Sequence, residues 1–380
     1  MQKAILVHFG EIWLKGRNRV FYINKLISSI TEKLNGLDFS IERRFDRIVI
    51  YTNELEKAKE RLAHVFGISH FEEVEELPTK KEEITRYLIN KFKEENIKSV
   101  RIEAHRSDKT ISFNSIELLN FIKKEAKKIN VKLDFKNFEK RIWINMTKDI
   151  TYIYSNKIKG LGGMPEKTSG KAIILLSGGI DSPVSAFLAM KRGIEPIYLH
   201  IHPFNDNKIA LENEKIKEMF SLLDSYVSSI KYFIPSYIFQ AEAIKAGQYE
   251  VIMFKRFLLK VAEKIAKKEG ALAIYTGDSL AQVSSQTLQN IYTEGYNIKI
   301  PIFRPLIGLD KEEIVSLAKK INTFDISAKP YPDVCSIFAR HPKTKSNIEE
   351  ILALEKSMNF STIIKESLKR ALRVDSSITS

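Results

Sequence analysis

Ser177-Gly-Gly-Ile-Asp-Ser182 places two hydroxyls, two glycines and a carboxylate within six positions. It follows the apolar run Ala172–Leu176 and precedes Pro183. Five unbroken apolar residues predict a strand covered on both faces. The glycines allow a tight turn and a close approach to a ligand. Ser182 followed by Pro183 predicts an N-cap and a first helical position. A helix starting there offers free N–H groups and a positive dipole end, which is an anion site. Two further stretches could act with it. Tyr275-Thr-Gly-Asp-Ser-Leu-Ala-Gln-Val-Ser-Ser-Gln-Thr-Leu288 is rich in amides and hydroxyls that could read a nucleotide or cap a helix. The lone cysteine, Cys335, stands after Pro330, Pro332 and Asp333, a context that predicts a loop. Arg340, His341 and Lys343 close by would favour its thiolate, which could carry a persulfide sulfur; a small buried hydrophobe is the alternative.

Strands are predicted at Pro196–Ile201, Ser229–Ile234 and Leu272–Thr276, with helices between them. One helix turns Val251, Phe254, Leu258, Val261 and Ile265 inward and stops at Gly270. This alternation predicts an α/β domain over 166–380 with a doubly wound parallel sheet. Ligands of such sheets sit beyond the carboxyl ends of the strands. That groups Leu176–Ser182, His200 with Ile201, Gly277 with Asp278, and the polar run that follows. Lys255 and Arg256 precede this run on a helix, and one of them could reach phosphates. Arg304–Ile314 reads as another strand end opening a capped helix, a structural feature.

Lys159-Gly-Leu-Gly-Gly-Met-Pro165 is the predicted boundary before that domain. Residues 1–78 predict the order β-α-β-β-α-β, which is ferredoxin-like. The strands are Ala4–Phe9, Ser40–Phe45, Arg47–Thr52 and His70–Glu75. The first helix shows Val20, Ile23, Ile27, Ile30 and Leu34, and the second opens on a capping box from Asn53 to Glu56. Lys15, Arg17 and Arg19 cluster around Gly16 just ahead of the first helix, a turn suited to phosphate contact or to plain solvation. Residues 79–165 predict a second α/β unit: a helix (Ile84, Leu88, Phe92), strand Ser99–Arg106, and a helix burying Ile116, Leu119, Ile122, Ala126 and Ile129. Strands near Lys132–Phe135, Arg141–Met146 and Thr151–Ser155 follow. The second helix displays Lys123, Lys124, Lys127 and Lys128, a face fit for a phosphate backbone or for solvent.

Net charge is +14, which suggests a polyanionic partner. The middle segment, residues 81–165, carries 19 basic against 11 acidic side chains and holds most of the excess. One cysteine excludes an internal disulfide and any Cys-rich metal or iron–sulfur site. No metal site is expected from the sequence. No apolar run reaches membrane-spanning length, and the start has no signal-peptide pattern, so the expected compartment is the cytoplasm.

Leu-Ser-Gly-Gly-Ile-Asp-Ser-Pro resembles the PP-loop of pyrophosphate-forming ATP hydrolases; the Gly-Lys-Ser/Thr ending of a Walker A loop is absent. The resemblance implies attack on the α-phosphorus of ATP. Ser177, Gly178, Gly179 and Ser182 would hold phosphates, and Asp181 would organise the Mg²⁺–pyrophosphate end. Four more features then fall in order. They are Gly10-Glu-Ile-Trp-Leu-Lys-Gly-Arg-Asn-Arg19, the basic middle unit like a THUMP module, the Thr276–Leu288 run and the Asp-Val-Cys335 loop. Over essentially its whole length the sequence resembles the tRNA 4-thiouridine synthetase (tRNA sulfurtransferase) family. That implies ATP-dependent replacement of O4 by sulfur in the uridine at position eight of tRNA, with domains 1–78, 79–165 and 166–380. The family's nucleotide contacts map onto Leu175, Leu176, His200, Ile201, Lys255, Gly277 and Gln286. Lys15, Arg17, Arg19 and the four lysines would contact RNA. Asp181 and Cys335 would be catalytic, and a homodimer is implied.

Two departures matter. Some members continue into a rhodanese domain, whereas this sequence ends at Ser380. Some short members carry a second loop cysteine where this sequence has Val334. A cysteine desulfurase, or another persulfide or sulfide donor, is therefore expected to supply sulfur, and an external thiol to reset Cys335. The alternatives are sulfur transfer into the thiazole of thiamin and a non-catalytic tRNA-binding protein.

Overall fold

Along the first strand, Ile5, Val7 and Phe9 alternate with Ala4 and Leu6, and all five are buried, so both faces of the sheet are covered here. The computed structural model describes residues 3–44, 47–338 and 343–375, without the side chains of residues 335 and 336. Two units are distinguished by their internal packing, Met1–Gly163 and Met164–Ser380.

In the first unit the order is β1 (Lys3–Phe9), α1 (Arg19–Leu34), β2 (Phe39–Arg44), β3 (Arg47–Thr52), α2 (Leu55–Leu62) and β4 (Ile68–Pro78). Then come α3 (Lys81–Glu94), β5 (Ser99–Arg106), α4 (Ser115–Lys127), β6 (Lys132–Leu133), β7 (Lys140–Met146), β8 (Ile150–Tyr154) and β9 (Ile158–Lys159). The antiparallel order β2-β3-β1-β4 is ferredoxin-like. Helices α1 and α2 cover its Ile5, Val7 and Phe9 face. Strand β4 runs past Glu75 to Pro78 and pairs there with β8, so the sheet continues as β8-β7-β5-β6. The two modules read from the sequence thus share one nine-stranded sheet.

Some local expectations need correction. No capping box forms at Asn53; α2 starts at Leu55, and Thr52 Oγ1 accepts from the Glu54 N–H instead. The buried stripe of α1 runs through Leu26, leaving Val20 51% exposed. In α4, Leu118 takes the place expected for Ile116, which is 70% exposed.

The second unit holds β10 (Lys171–Leu175), α5 (Asp181–Lys191), β11 (Glu195–His202), α6 (Asn207–Glu212), α7 (Glu214–Tyr226) and β12 (Ile230–Pro235). It continues with α8 (Tyr237–Ala243), α9 (Glu250–Glu269), β13 (Ala273–Tyr275), α10 (Leu288–Gly295), β14 (Ile302–Phe303) and α11 (Lys311–Lys320). Helices α12 (Phe324–Ala328), α13 (Val334–Phe338), α14 (Ile348–Ser357), α15 (Phe360–Lys369) and strand β15 (Leu372–Asp375) complete it. The sheet order is β14-β13-β10-β11-β12-β15, parallel except for the edge strand β15. From β10 the chain moves outward through β11 and β12, then crosses back to β13. The reversal opens a crevice at the carboxyl ends of β10 and β13. Among the described residues, no helix is long and apolar enough to cross a membrane.

Candidate active site

A cavity of about 520 Å³ lies at that crevice, a size suited to a nucleotide-sized ligand. The end of β10 lines it with Leu175, the loop that follows with Leu176, Ser177, Gly178 and Gly179, and α5 adds Asp181 and Ser182. Ile201, Lys255, Gly277 and Gln286 also line it. Eleven of the twelve residues expected at a nucleotide therefore converge. The exception is His200, which stands behind the wall, 1% exposed.

Ser182 does not cap α5 as expected. The helix starts two residues earlier, at Asp181 rather than Pro183, with Ile180 as N-cap. Ser182 Oγ instead accepts from the Ser177 N–H at 2.9 Å and bonds Ser177 Oγ at 3.0 Å, which ties the loop closed. Asp181 is gripped from two sides: Lys311 Nζ is 2.7 Å from Oδ1, and Gln282 Nε2 donates to Oδ2 at 2.8 Å. Segment 304–314 supplies the capped helix expected of it, with a capping box between Asp310 and Glu313. It also delivers Lys311 to the loop carboxylate, a role no local pattern signalled.

His200 explains how the loop is held. Its Nδ1 donates to the Leu176 carbonyl at 2.8 Å, and its Nε2 accepts from the Tyr331 hydroxyl at 2.8 Å. Burial lowers its pKa to about 4, against the Leu176 hydrogen bond, so the ring is neutral at pH 7. Burial and the Asp333 charge raise the Tyr331 pKa, which keeps the phenol a donor. Tyr331 also explains Gly178: a Cβ there would lie 2.7 Å from Tyr331 Cδ1. Lys215 anchors the same segment by donating to the carbonyls of Ser327 and Lys329 at 2.8 and 2.6 Å. At Gly277 a Cβ would sit 3.0 Å from the Ser182 N, so the end of β13 packs directly on the start of α5.

Lys255, Asp278 and Glu294 bring a charge cluster to the lining. Lys255 Nζ is 3.0 Å from Asp278 Oδ1 and 3.6 Å from Glu294 Oε1, while Arg304 Nε is 3.3 Å from Asp278 Oδ2. Burial pushes the Asp278 carboxyl up, but Lys255, Thr276 and Arg304 outweigh it and hold the pKa at about 2. Burial raises Glu294 to about 8 despite Lys255. The choice between the adjacent cations is clear in the geometry. Lys255 lines the cavity, whereas Arg256 is 1% exposed and turned toward Glu355 and the Thr293 and Tyr296 carbonyls. Gln282 Oε1 and Gln286 Oε1 are buried without a hydrogen-bond partner among the described residues. Two unused acceptors in one cavity fit a ligand rich in N–H and O–H donors.

Cys335 lies on α13, a short helix rather than the expected loop. Its side chain falls outside the described residues, as do Arg340 and His341. The neighbouring Val334 lines the cavity.

In the first unit, Lys123, Lys124 and Lys127 are exposed on α4, and Lys128 is exposed at its C-cap. Lys128 pairs with Glu125 at 2.7 Å. Lys15 and Arg17 flank Gly16, whose φ of 51° kinks the short helix Glu11–Asn18. Arg17 is exposed, Lys15 lies over the Tyr22 ring and Arg19 stacks 4.3 Å over Trp13.

Three family models match this chain. "Thiamine biosynthesis protein (ThiI)" matches residues 167–360, "ThiI ferredoxin-like domain" residues 4–71 and "THUMP domain" residues 79–156. A Thermoanaerobacter protein named "Probable tRNA sulfurtransferase" is 35% identical, covering 98% of this chain and 100% of its own length. An Acetivibrio thermocellus protein of the same name is 36% identical, over 97% of each chain. The crystal structure of a 4-thiouridine synthetase–RNA complex with bound ATP superposes with a TM-score of 0.86 at 29% identity, covering 98% of this chain and 99% of that one. A Pyrococcus horikoshii protein superposes with a TM-score of 0.64 at 25% identity, over 84% and 99%.

Proposed function

The chain belongs to the ThiI family of tRNA sulfurtransferases, and from that membership we propose that it converts the uridine at position eight of tRNA to 4-thiouridine at the expense of ATP. The likeness to the ATP-bound synthetase–RNA complex carries this reading. The cavity at the loop after β10 supports it with chemistry.

ATP is a substrate here. The loop hydroxyls and N–H groups of Ser177, Gly178, Gly179 and Ser182 would hold its β- and γ-phosphates at the start of α5. Lys255 adds positive charge on the cavity wall, Lys311 adds it at Asp181, and the buried acceptors of Gln282 and Gln286 suit the donors of a nucleoside. Leu175, Leu176, Ile201 and Gly277 would form the apolar and backbone walls, with His200 setting the loop from behind. One carboxylate beside bound phosphates is a donor set that Mg²⁺ accepts. Asp181 would hold it, and the ion would supply charge neutralisation at the pyrophosphate.

Uracil O4 is a poor leaving group. Its attack on the α-phosphorus converts it to an AMP ester and expels pyrophosphate. A persulfide on Cys335, or sulfide delivered there, then attacks C4 and AMP departs. In the persulfide route the sulfur stays linked to Cys335 as a disulfide. An external thiol cleaves that bond, releasing 4-thiouridine and forming a mixed disulfide with Cys335, and a second thiol restores the Cys335 thiol as the two leave as a disulfide. The donor in this reading is a cysteine desulfurase or sulfide, the assembly is a homodimer, and the compartment is the cytoplasm. Its working divisions are 1–78, 79–165 and 166–380, with Lys15, Arg17, Arg19, Lys123, Lys124, Lys127 and Lys128 toward RNA.

The test is nucleoside mass spectrometry of unmodified tRNA incubated with protein, Mg-ATP and sulfide. A 4-thiouridine peak that requires ATP is expected. AMP without a thionucleoside would retain adenylation only, and neither product would refute the proposal. Asp181→Ala is expected to abolish AMP formation. Cys335→Ser is expected to abolish thiolation from a protein persulfide and to leave AMP formation. The family description favours a second acceptor, the thiazole of thiamin; thiamin auxotrophy on deletion, with tRNA thiolation intact, would single it out.

A further inference from the structure

We infer that His8, His70 and Glu72 form a binding site for one divalent transition-metal ion of the zinc class, on the sheet face of the first unit opposite its helices. The three side chains offer two imidazole nitrogens and a carboxylate, all within 4.8 Å of one another. Strand pairing puts them there: His8 on β1 stands directly across from His70 on β4, and Glu72 is two residues along β4, on the same face. The rings stack with centroids 4.4 Å apart and planes within 6°. Their Nε2 atoms lie 3.2 Å from Glu72 Oε2 and 3.4 Å from Oε1.

The carboxylate is the decisive observation. Glu72 is 0% exposed, and among the described residues neither of its oxygens accepts a hydrogen bond; the two Nε2 atoms beside it are within ion-pair distance but not hydrogen-bonded to it. A buried carboxylate without donors is costly, and native structures satisfy such groups or give them an ion. Neither ring makes a hydrogen bond to that carboxylate, although both Nε2 atoms face it. A divalent cation would be held by all three groups at once. Two neutral imidazoles and one carboxylate satisfy three positions of a tetrahedral ion, and solvent takes the fourth, since His70 is 35% and His8 19% exposed. Ser69 Oγ lies 3.2 Å from His70 Nδ1, the outer contact that orients a ligating ring and frees Nε2.

Bound metal would staple β1 to β4 one pair before the strand ends at Phe9, ahead of the Gly10–Arg19 turn. Nothing in the ATP chemistry uses these residues, so the site is a structural one that fixes the strand from which that basic turn departs.

The experiment is calorimetric titration of the chelator-stripped full chain with ZnCl₂, beside His8→Ala, Glu72→Gln and a control, His64→Ala. One equivalent is expected to bind wild type and the control, with affinity at least about 100-fold lower in the two site variants. Absence of binding by wild type, or equal affinity in both site variants, would overturn the proposal. Should the site variants fail to fold, Co²⁺ in the wild-type protein decides. Intense visible absorption of a four-coordinate ion without sulfur charge transfer supports the site. The weak bands of a six-coordinate ion, or a thiolate band from Cys335, refute it.

Discussion

Tyr331→Phe is the sharpest perturbation available because it deletes one oxygen and leaves the ring. The Tyr331 hydroxyl donates to His200 Nε2 at 2.8 Å, and that nitrogen has no rotameric escape. Its ring is 1% exposed and its other nitrogen is committed to the Leu176 carbonyl. Turning the tautomer round would satisfy nothing, since the N–H is needed at Leu176. The variant therefore leaves a buried acceptor unpaired, which costs about 1–3 kcal/mol. The open cavity beside Tyr331 can admit water to the nitrogen, so the lower half of that range is expected. The loss should reach ATP as well as folding, because the same ring packs on Gly178 and backs the loop. Urea unfolding and the ATP dependence of tRNA-stimulated AMP formation read the two effects. A stability loss of about 1–2 kcal/mol with a several-fold rise in KM for ATP is expected. An unchanged unfolding midpoint and unchanged KM would refute the chain from Leu176 through His200 to Tyr331.

Three further outcomes follow from the same molecule. His200, lowered from 6.5 to about 4, is neutral when folded and protonated more readily when unfolded. It therefore contributes about 3 kcal/mol that is present above pH 6.5 and lost as pH falls toward 4, and His200→Gln should remove that slope from unfolding curves taken between those values. Glu294, raised from 4.5 to about 8, binds its proton more tightly when folded. Its contribution declines as pH rises from 4.5 to 8, so Glu294→Gln should gain stability relative to wild type across that window. Replacing Lys123, Lys124 and Lys127 together by Ala should weaken tRNA binding and flatten its salt dependence, by about 0.7–0.9 in log–log slope for each phosphate no longer neutralised; an unchanged slope in filter binding at several salt concentrations would remove that face from the interface.

The chemistry-bearing string was legible because it is local. Ala172–Ser182 spells a strand, a turn and a helix start in contiguous residues, and alternating strands and helices then dictate a parallel sheet. From the sheet rule alone Leu176–Ser182, Ile201, Gly277 and the polar run after Asp278 fall at one end, and the cavity gathers them there. Similarity to a known family added the reaction, and the full-length matches agree with it.

What the sequence left open depends on the packing of distant segments. Ser182 reads as an N-cap from its neighbours, yet its hydroxyl is drawn back onto Ser177 by the closure of the loop. Lys311 carries no local mark, and only the packing of α11 beside α5 brings its ammonium to Asp181. Lys255 and Arg256 are adjacent and chemically alike; the rotation of α9 against its neighbours sends one to the cavity and the other to Glu355. Glu72 reads in sequence as one more charge in an acidic strand, and burial beside two histidines becomes visible only once β1 and β4 pair in register. Backbone periodicity and turn chemistry act over a few residues, so the sequence alone determines which elements form and which string meets phosphate. Desolvation and charge pairing act over ångströms in space, so the protonation of His200 and Glu294, and the partners of each charge, are decided only by the tertiary structure.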